Sequence, residues 1–376
     1  MNDTVAAGMD TSAEQHHARR AQGVAKRHLQ RSALELVGLL GAAYLVLKLI
    51  PALKQALRSL EHVSWEWLLG AIALEVLSEF GFVVAWRAIV DPQRVLDHDF
   101  QGRRMDDDVA WAQLGGGLLL PGGAWGGVGV GAWILHRFGM PARLTAEREF
   151  NLQFLNTAVD ALALIVFGVG LATGIFAGER HLPLVVLPAA VAATAIAAVL
   201  LIAPRAARHA ERLAPKHPRI AGAITTLADA VADTKRLLVH RGGWTSVLAV
   251  LAYLGFDVLV LWTAFLAIHA HPGPGFAIVL MAYIIGALGG SIPLPAGIGT
   301  IGGMSAMLIV YGVGRNAAIA AVLLHQAIGL LVPLTGGAIA YALLLRRLPS
   351  IRSRADNGSA QSSGSAAQIS GGPDAR

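Results

Sequence analysis

Ile292-Pro293-Leu294-Pro295-Ala296-Gly297-Ile298-Gly299-Thr300-Ile301-Gly302-Gly303 interrupts an apolar run over 276–313, and Leu120-Pro121-Gly122-Gly123-Ala124-Trp125-Gly126-Gly127-Val128-Gly129 interrupts another over 109–134. Both runs are apolar enough to lie in a bilayer, yet each carries at its centre the residues least suited to an unbroken helix. Proline lacks the N–H that the helical ladder needs and clashes with the preceding turn. Each interior glycine costs about 1 kcal/mol relative to alanine. Broken backbone at membrane depth persists only where protein or water satisfies its polar groups. Whether these stretches cross the membrane or fold back to the side they came from decides the topology.

Six other segments read as ordinary spanning helices: 33–50, 65–90, 150–177, 183–203, 243–270 and 316–345. Even the shortest, at about 1.5 Å per residue, reaches about 27 Å, enough for a hydrocarbon core. Composition agrees, with 55% hydrophobic and only 14% charged residues and a mean hydropathy of +0.57. A soluble domain is nearer 25% charged. The pI of about 10.0 does not indicate nucleic acid. The basic residues sit in short runs between apolar stretches, as the positive-inside bias places them. The absence of cysteine excludes disulfides and thiolate metal sites.

Charge chooses between the two topologies. If each broken segment crossed once, Arg137, Arg143 and Arg148 would face outward. So would Arg205, Arg208, Arg212, Lys216, Arg219, Lys235, Arg236 and Arg241. If both are re-entrant hairpins, these loops become cytoplasmic, together with Arg19, Arg20, Lys26, Arg27 and Arg31 near the start and Arg346, Arg347, Arg352 and Arg354 near the end. Lys54 and Arg58 are a minor mismatch with the rule. The expected fold is therefore all-α: a multi-pass bundle of six spans and two re-entrant broken hairpins in the cytoplasmic membrane, with both termini inside. Residues 1–32 read as a polar cytoplasmic segment and 33–348 as the membrane domain. Within it, 205–240 reads as an amphipathic helix at the cytoplasmic interface. The Ser-, Gly- and Ala-rich 349–376 reads as a disordered tail.

The two broken segments resemble each other. Pro121-Gly122-Gly123 is followed 18 residues later by Gly139, in Phe-Gly-Met, and Pro295-Ala296-Gly297 is followed 17 residues later by Gly312, in Tyr-Gly-Val. Each is preceded by two spans and followed by one. Half A is then 33–177 and half B 183–345, and an odd number of spans per half sets the halves inverted. Inverted repeats whose broken helices meet near the midplane are a transporter architecture. Glycine-rich helices also arise from close packing alone, but order, spacing and charge together favour the repeat.

Glu75 and Glu79 fall near the centre of the second span, four apart and so on one helix face. An ionised acid there costs roughly 3 kcal/mol on insertion scales, so burial without purpose is disfavoured. Glu79 and Asp257 are each fifteenth in the second span of their half, and Asp160 and His325 are eleventh and tenth in the third spans. The functional reading is a midplane polar site or proton relay. The structural alternative pairs Glu79 with a loop arginine and lets Asp160 cap a broken helix. The candidate hairpin tips are Pro121, Gly122, Gly123, Pro293, Pro295, Gly297 and Gly299. Their free N–H groups and helix N-termini suit an anion such as a lipid phosphate. Asp106-Asp107-Asp108 reads as a solvated loop, and so does His269-x-His271. No metal, cofactor or catalytic residue is expected, because Gly-x-Ser-x-Gly, His-Glu-x-x-His and P-loop patterns are absent from the sequence.

At these motifs the chain resembles the transmembrane region of lysylphosphatidylglycerol synthases, a flippase-like family. The family's Pro-x-Pro-Gly-Gly-x-Gly-x-x-Glu looks like Pro293-Leu294-Pro295-Ala296-Gly297-Ile298-Gly299-Thr300-Ile301-Gly302. Its following Gly-Val and Tyr-Arg look like Gly312-Val313 and His325-Gln326. Its earlier Leu-Pro-Gly-Gly through Gly-Val-Pro looks like Leu120-Pro121-Gly122-Gly123 through Gly139-Met140-Pro141, and its next-span Asp matches Asp160. Ala296, Gly302 and Gln326 depart from the family's Gly, Glu and Arg. Losing that acid and base together suggests that a family ion pair was lost as a pair. The family's synthase domain has no counterpart here.

The resemblance implies a stand-alone flippase-like component, with Gln326 joining the candidate binding set. The expected partners are membrane lipids, with an anionic phospholipid or polyprenyl-phosphate-linked molecule as substrate, and a lipid- or glycan-modifying enzyme alongside. Two alternatives remain from the residues: a membrane-embedded lipid-modifying enzyme using Glu75, Glu79 or Asp257 as acid or base, and a non-transporting subunit of an envelope-synthesis complex.

Overall fold

The computed structural model describes residues 63–92, 96, 105–119, 124–176, 182–213, 217–239, 243–270, 273–288 and 298–369. Every regular element among them is helical: α1 (Trp65–Val90), α2 (Met105–Leu119), α3 (Ala124–Arg137), α4 (Ala142–Thr173), α5 (Leu182–Leu213), α6 (Pro218–Val239), α7 (Trp244–Ala267), α8 (Phe276–Ala287), α9 (Ile298–Val310) and α10 (Arg315–Ile369). Five helices among the described residues are long and apolar enough to cross a membrane, over Trp65–Val90, Ala142–Thr173, Pro183–Ala203, Trp244–Ala267 and Arg315–Leu344. They correspond to five of the six expected spans. The sixth, 33–50, lies outside the described residues, as do Pro121, Gly122, Gly123, Pro293, Pro295 and Gly297.

The broken segments form two pairs of short helices. α2, α3, α8 and α9 contain 15, 14, 12 and 13 residues. At about 1.5 Å per residue none reaches the roughly 30 Å of a hydrocarbon core. The helices of each pair pack back on one another. Gly127 abuts the carbonyl of Gln113 and the backbone of Gly117, Gly131 abuts the Gln113 side chain, and Gly116 abuts Val130. In the second pair, Gly286 meets Gly303 and Met304, backbone against backbone. In each pair the contacts run antiparallel, the residue early in one helix meeting the residue late in the other. Gly299 is a correction: it lies in the first turn of α9, inside the helix and not in the connecting turn.

Both hairpins leave by the same turn. Gly139 (φ +87°) donates to His136 O, and Met140 N donates back to Leu135 O at 3.1 Å. Gly312 (φ +88°) donates to Ile309 O, and Val313 N to Leu308 O at 3.0 Å. A left-handed residue at this point lets the last carbonyls of a helix find donors, and glycine adopts it without a Cβ penalty. The next span starts at once, α4 at Ala142 and α10 at Arg315. α4 therefore begins well before the expected 150. Asp160 is nineteenth in α4 and His325 eleventh in α10, so these two do not hold matching positions. Glu79 and Asp257, fifteenth in α1 and fourteenth in α7, still nearly match.

α1 and α7 form the central seam and run antiparallel. Ser64 N donates to Ala267 O at 2.9 Å near one end, and Ser78 Oγ to Tyr253 O at 2.8 Å along the seam. The packing around this seam recurs in pairs. α1 touches α2, α4 and α10, and α7 touches α8, α10 and α4. α2 rests on α10 as α8 rests on α4, and α3 meets α4 as α9 meets α10. Among the described helices, α5 and α6 have no paired counterpart: α5 packs on α4 and carries α6, which also touches α4 and α7.

Two boundaries differ from the sequence reading. The stretch 205–240 is not one interfacial helix: α5 runs on to Leu213, and α6 starts afresh at Pro218, a residue suited to a first helical turn. Asn151 Nδ2 donates to Asp233 Oδ2 at 3.0 Å and ties α6 to α4. The helix of α10 also continues into the expected tail, through Ile369. Adding residues to an existing helix costs far less than starting one, so a long span can carry helix into a sequence with little propensity of its own.

Candidate functional site

The seam brings acids together from several helices. Asp257 of α7 is the hub. Its Oδ1 lies 2.7 Å from Nε2 of His325 on α10, and its Oδ2 accepts the phenolic O–H of Tyr283 on α8. The Tyr283 and His325 rings meet edge to face at 5.8 Å. A hairpin helix, the seam helix and the last span are thus joined at one carboxylate.

Glu75 and Glu79 enter from α1 with only 3% and 4% of their surfaces exposed. Glu75 points toward α10: a Cβ placed on Gly329 would sit 3.4 Å from its Oε1. Both acids, and Asp160 of α4, are close enough to Asp257 for their charges to interact. Among the described residues, Glu75 Oε2, Glu79 Oε2 and His325 Nδ1 are buried with no hydrogen-bond partner. Most buried polar groups are paired; Asn156 Oδ1 and Ser305 Oγ are also buried without a partner among the described residues, but Glu75 and Glu79 are acids. Glu79 makes no ion pair with an arginine among the described residues, against the structural alternative. Gln326 is half-buried beside His325 and is not hydrogen-bonded into the cluster. Gly302 is exposed and has open space where a side chain would project.

A second polar tie holds the first hairpin, and the sequence reading misses it. Trp86 Nε1 of α1 donates to Gln113 Oε1 at 2.9 Å and to Glu149 Oε1 at 3.0 Å. Gln113 Nε2 of α2 donates to Glu149 Oε2 of α4 at 2.9 Å. Both carboxylate oxygens are satisfied, unlike Oε2 of Glu75 and Oε2 of Glu79. The same three kinds of element are joined in each half: seam helix, first hairpin helix and last span. Both ties pair both oxygens of their central carboxylate, but the one at Asp257 leaves His325 Nδ1 open, with Glu75 Oε2 and Glu79 Oε2 open beside it. Glu149→Leu should therefore cost about 3 kcal/mol, the usual penalty for removing one partner of a buried charged network, whereas Glu149→Gln should cost much less. Thermal melting of the detergent-purified variants checks the order.

The acidic run is also corrected. Asp106, Asp107 and Asp108 open helix α2 instead of forming a solvated loop. Asp106 is fully buried, and Arg87 Nη1 pairs with Asp107 at 3.1 Å. Arg148 Nη1 donates to the Val90 carbonyl at 2.7 Å and caps the end of α1. His269 closes α7 in a left-handed turn at φ +55°, and His271 lies outside the described residues. No group of three or more histidine, aspartate or glutamate side chains converges as metal ligands among the described residues.

Comparison with protein families gives a match to the lysylphosphatidylglycerol synthase TM region over residues 35–337. Comparison with curated proteins gives no match.

Proposed function

Because the chain belongs to the lysylphosphatidylglycerol synthase transmembrane-region family, we propose that it is a flippase-like transporter of the bacterial cytoplasmic membrane and not an enzyme. It moves an anionic amphipath, a phospholipid or a polyprenyl-phosphate-linked molecule, past the Asp257-centred cluster. The observation that carries this reading is the incomplete hydrogen bonding of deeply buried acids at the seam. A charge buried in a membrane domain is expensive and marks a pathway or a relay by default. The open acids lie between the two sets of recurring contacts, where alternating-access proteins hold their sites.

The architecture we infer has six spans, two re-entrant hairpins and two inverted halves. The paired contacts and the antiparallel α1–α7 seam support inversion, and the half-length helices packed back on one another support re-entry. Reporter fusions after residue 145, within 205–240 and after 350 should read cytoplasmic, and fusions near 180 and 273 external. An external signal at 145 removes the first hairpin and the inversion with it.

The transport reading is tested by reconstitution. Proteoliposomes holding the full chain and a fluorescent phosphatidylglycerol should lose signal to external dithionite beyond the half that protein-free vesicles lose. Equal loss from both, with phosphatidylglycerol and a polyprenyl phosphate alike, ends it.

A further inference from the structure

We propose that the Glu75–Glu79–Asp257–His325 cluster is a proton-binding site, and that protons taken up there travel with the anionic amphipath; this rests on the transport reading above. The groups that face it are Glu75 and Glu79 from α1, Asp160 from α4, Tyr253 and Asp257 from α7, Tyr283 from α8 and His325 from α10. Four carboxylates meet one imidazole. Among the described side chains, the arginines of these helices are engaged elsewhere or sit at helix ends: Arg87 on Asp107, Arg143 on Glu147, Arg148 on the Val90 carbonyl, and Arg315 at the start of α10. Fully ionised, the cluster's four carboxylates and one imidazolium would leave three negative charges that no cation among the described residues pairs.

That imbalance requires a positive occupant. Like charges at short range repel strongly where the dielectric is low, and an ionised acid at span centre already costs roughly 3 kcal/mol. The occupant is a proton or an alkali-metal cation, and the geometry separates them. A metal ion needs several oxygens converging on one point, and no three acid or histidine ligands converge so among the described residues. Protons need only separate carboxylate oxygens. Glu75 Oε2 and Glu79 Oε2 are open, and His325 Nδ1, on the far side of the ring from Asp257, is an open nitrogen that can pass a proton on. The step forms one O–H bond on a glutamate carboxylate and breaks one O–H bond of a hydronium ion, leaving water, or one N–H bond of the imidazolium, leaving neutral imidazole.

The coupling follows from charge. An ionised cluster repels a phosphate, whereas a proton-loaded cluster is neutral and lets it pass. Protons and the anion therefore move together and in the same direction.

Two measurements on the full chain in liposomes test this. Dicyclohexylcarbodiimide adds to a protonated carboxyl in an apolar site, and peptide mass spectrometry locates the adduct. The expected result is modification at Glu75 or Glu79 that slows about tenfold or more between pH 6 and pH 9; modification at neither position at any pH overturns the proposal. In the second measurement, a pH difference of about one unit across vesicles should change the rate of phosphatidylglycerol movement severalfold, and an equal sodium gradient should not. Glu75→Gln with Glu79→Gln should remove the pH response. A rate that follows sodium and ignores pH identifies an alkali cation and overturns the proton. Modification without lipid movement leaves the proton site standing and ends the transport reading. Lipid movement without modification or pH response does the reverse.

Discussion

Asp257→Asn is expected to reduce lipid movement to the level of empty vesicles, a loss of roughly a hundredfold or more, corresponding to about 2.7 kcal/mol in the barrier. Asparagine preserves the shape and keeps an oxygen for Tyr283 O–H, but it removes the charge that faces His325 Nε2 at 2.7 Å. The fold should survive. α7 is held along its length by α1, and the lost contact is a single hydrogen bond to a charged group, worth about 1.5–3 kcal/mol. A melting temperature within several degrees of the parent, with activity gone, is the expected pair of results. Activity within threefold of the parent would leave Asp257 as a structural tie between α7, α8 and α10 and remove the site from the mechanism.

Gly81→Leu should do the opposite and destroy the protein before its activity can be asked about. At Gly81 the α1 and α7 backbones touch: an added Cβ would sit 2.8 Å from Tyr253 N and 2.9 Å from Ala249 O. These are backbone atoms that cannot rotate aside, so the helices must separate. The seam would lose the Ser78–Tyr253 hydrogen bond and the burial of Phe82, which packs on the Tyr253 ring at 5.6 Å. Overpacking of this kind costs about 1–3 kcal/mol per misfit group, with larger values for backbone shifts. The yield of monodisperse protein from detergent should collapse. Gly70→Leu is the control, since nothing lies within 4 Å of its added Cβ, and it should purify normally.

Much of the architecture is legible in the sequence because the membrane imposes length. Five spans emerge where eighteen or more apolar residues run together, and the two interruptions emerge from proline and glycine. The start of α4 is not legible. Ala142-Arg143-Leu144-Thr145-Ala146-Glu147-Arg148-Glu149 is too polar for a span by hydropathy, yet it is helical from Ala142. Hydropathy finds the part of a helix that faces lipid and says nothing of the part that faces other helices. The acids of the site are conspicuous because an acid in an apolar run has no cheap explanation. Tyr283 is not conspicuous, since a tyrosine in an apolar helix looks like any other large side chain. Trp86, Gln113 and Glu149 are each ordinary in context, and only folding brings them together across 27 and 63 residues of chain. The acidic run of α2 reads as solvated for the same reason: its partner, Arg87, is 20 residues from Asp107, in the last turn of α1.

The paired contacts described above set two similar groups of helices face to face. Among the described helices each group offers the other the same surfaces in return: seam to seam, first short helix to last span, and the reverse. Such an interface is isologous, the kind that closes a two-fold dimer of identical subunits. The two polar ties break that equivalence: one is the Trp86–Gln113–Glu149 network, and the other is the Asp257 tie, which leaves His325 Nδ1 open beside Glu75 and Glu79.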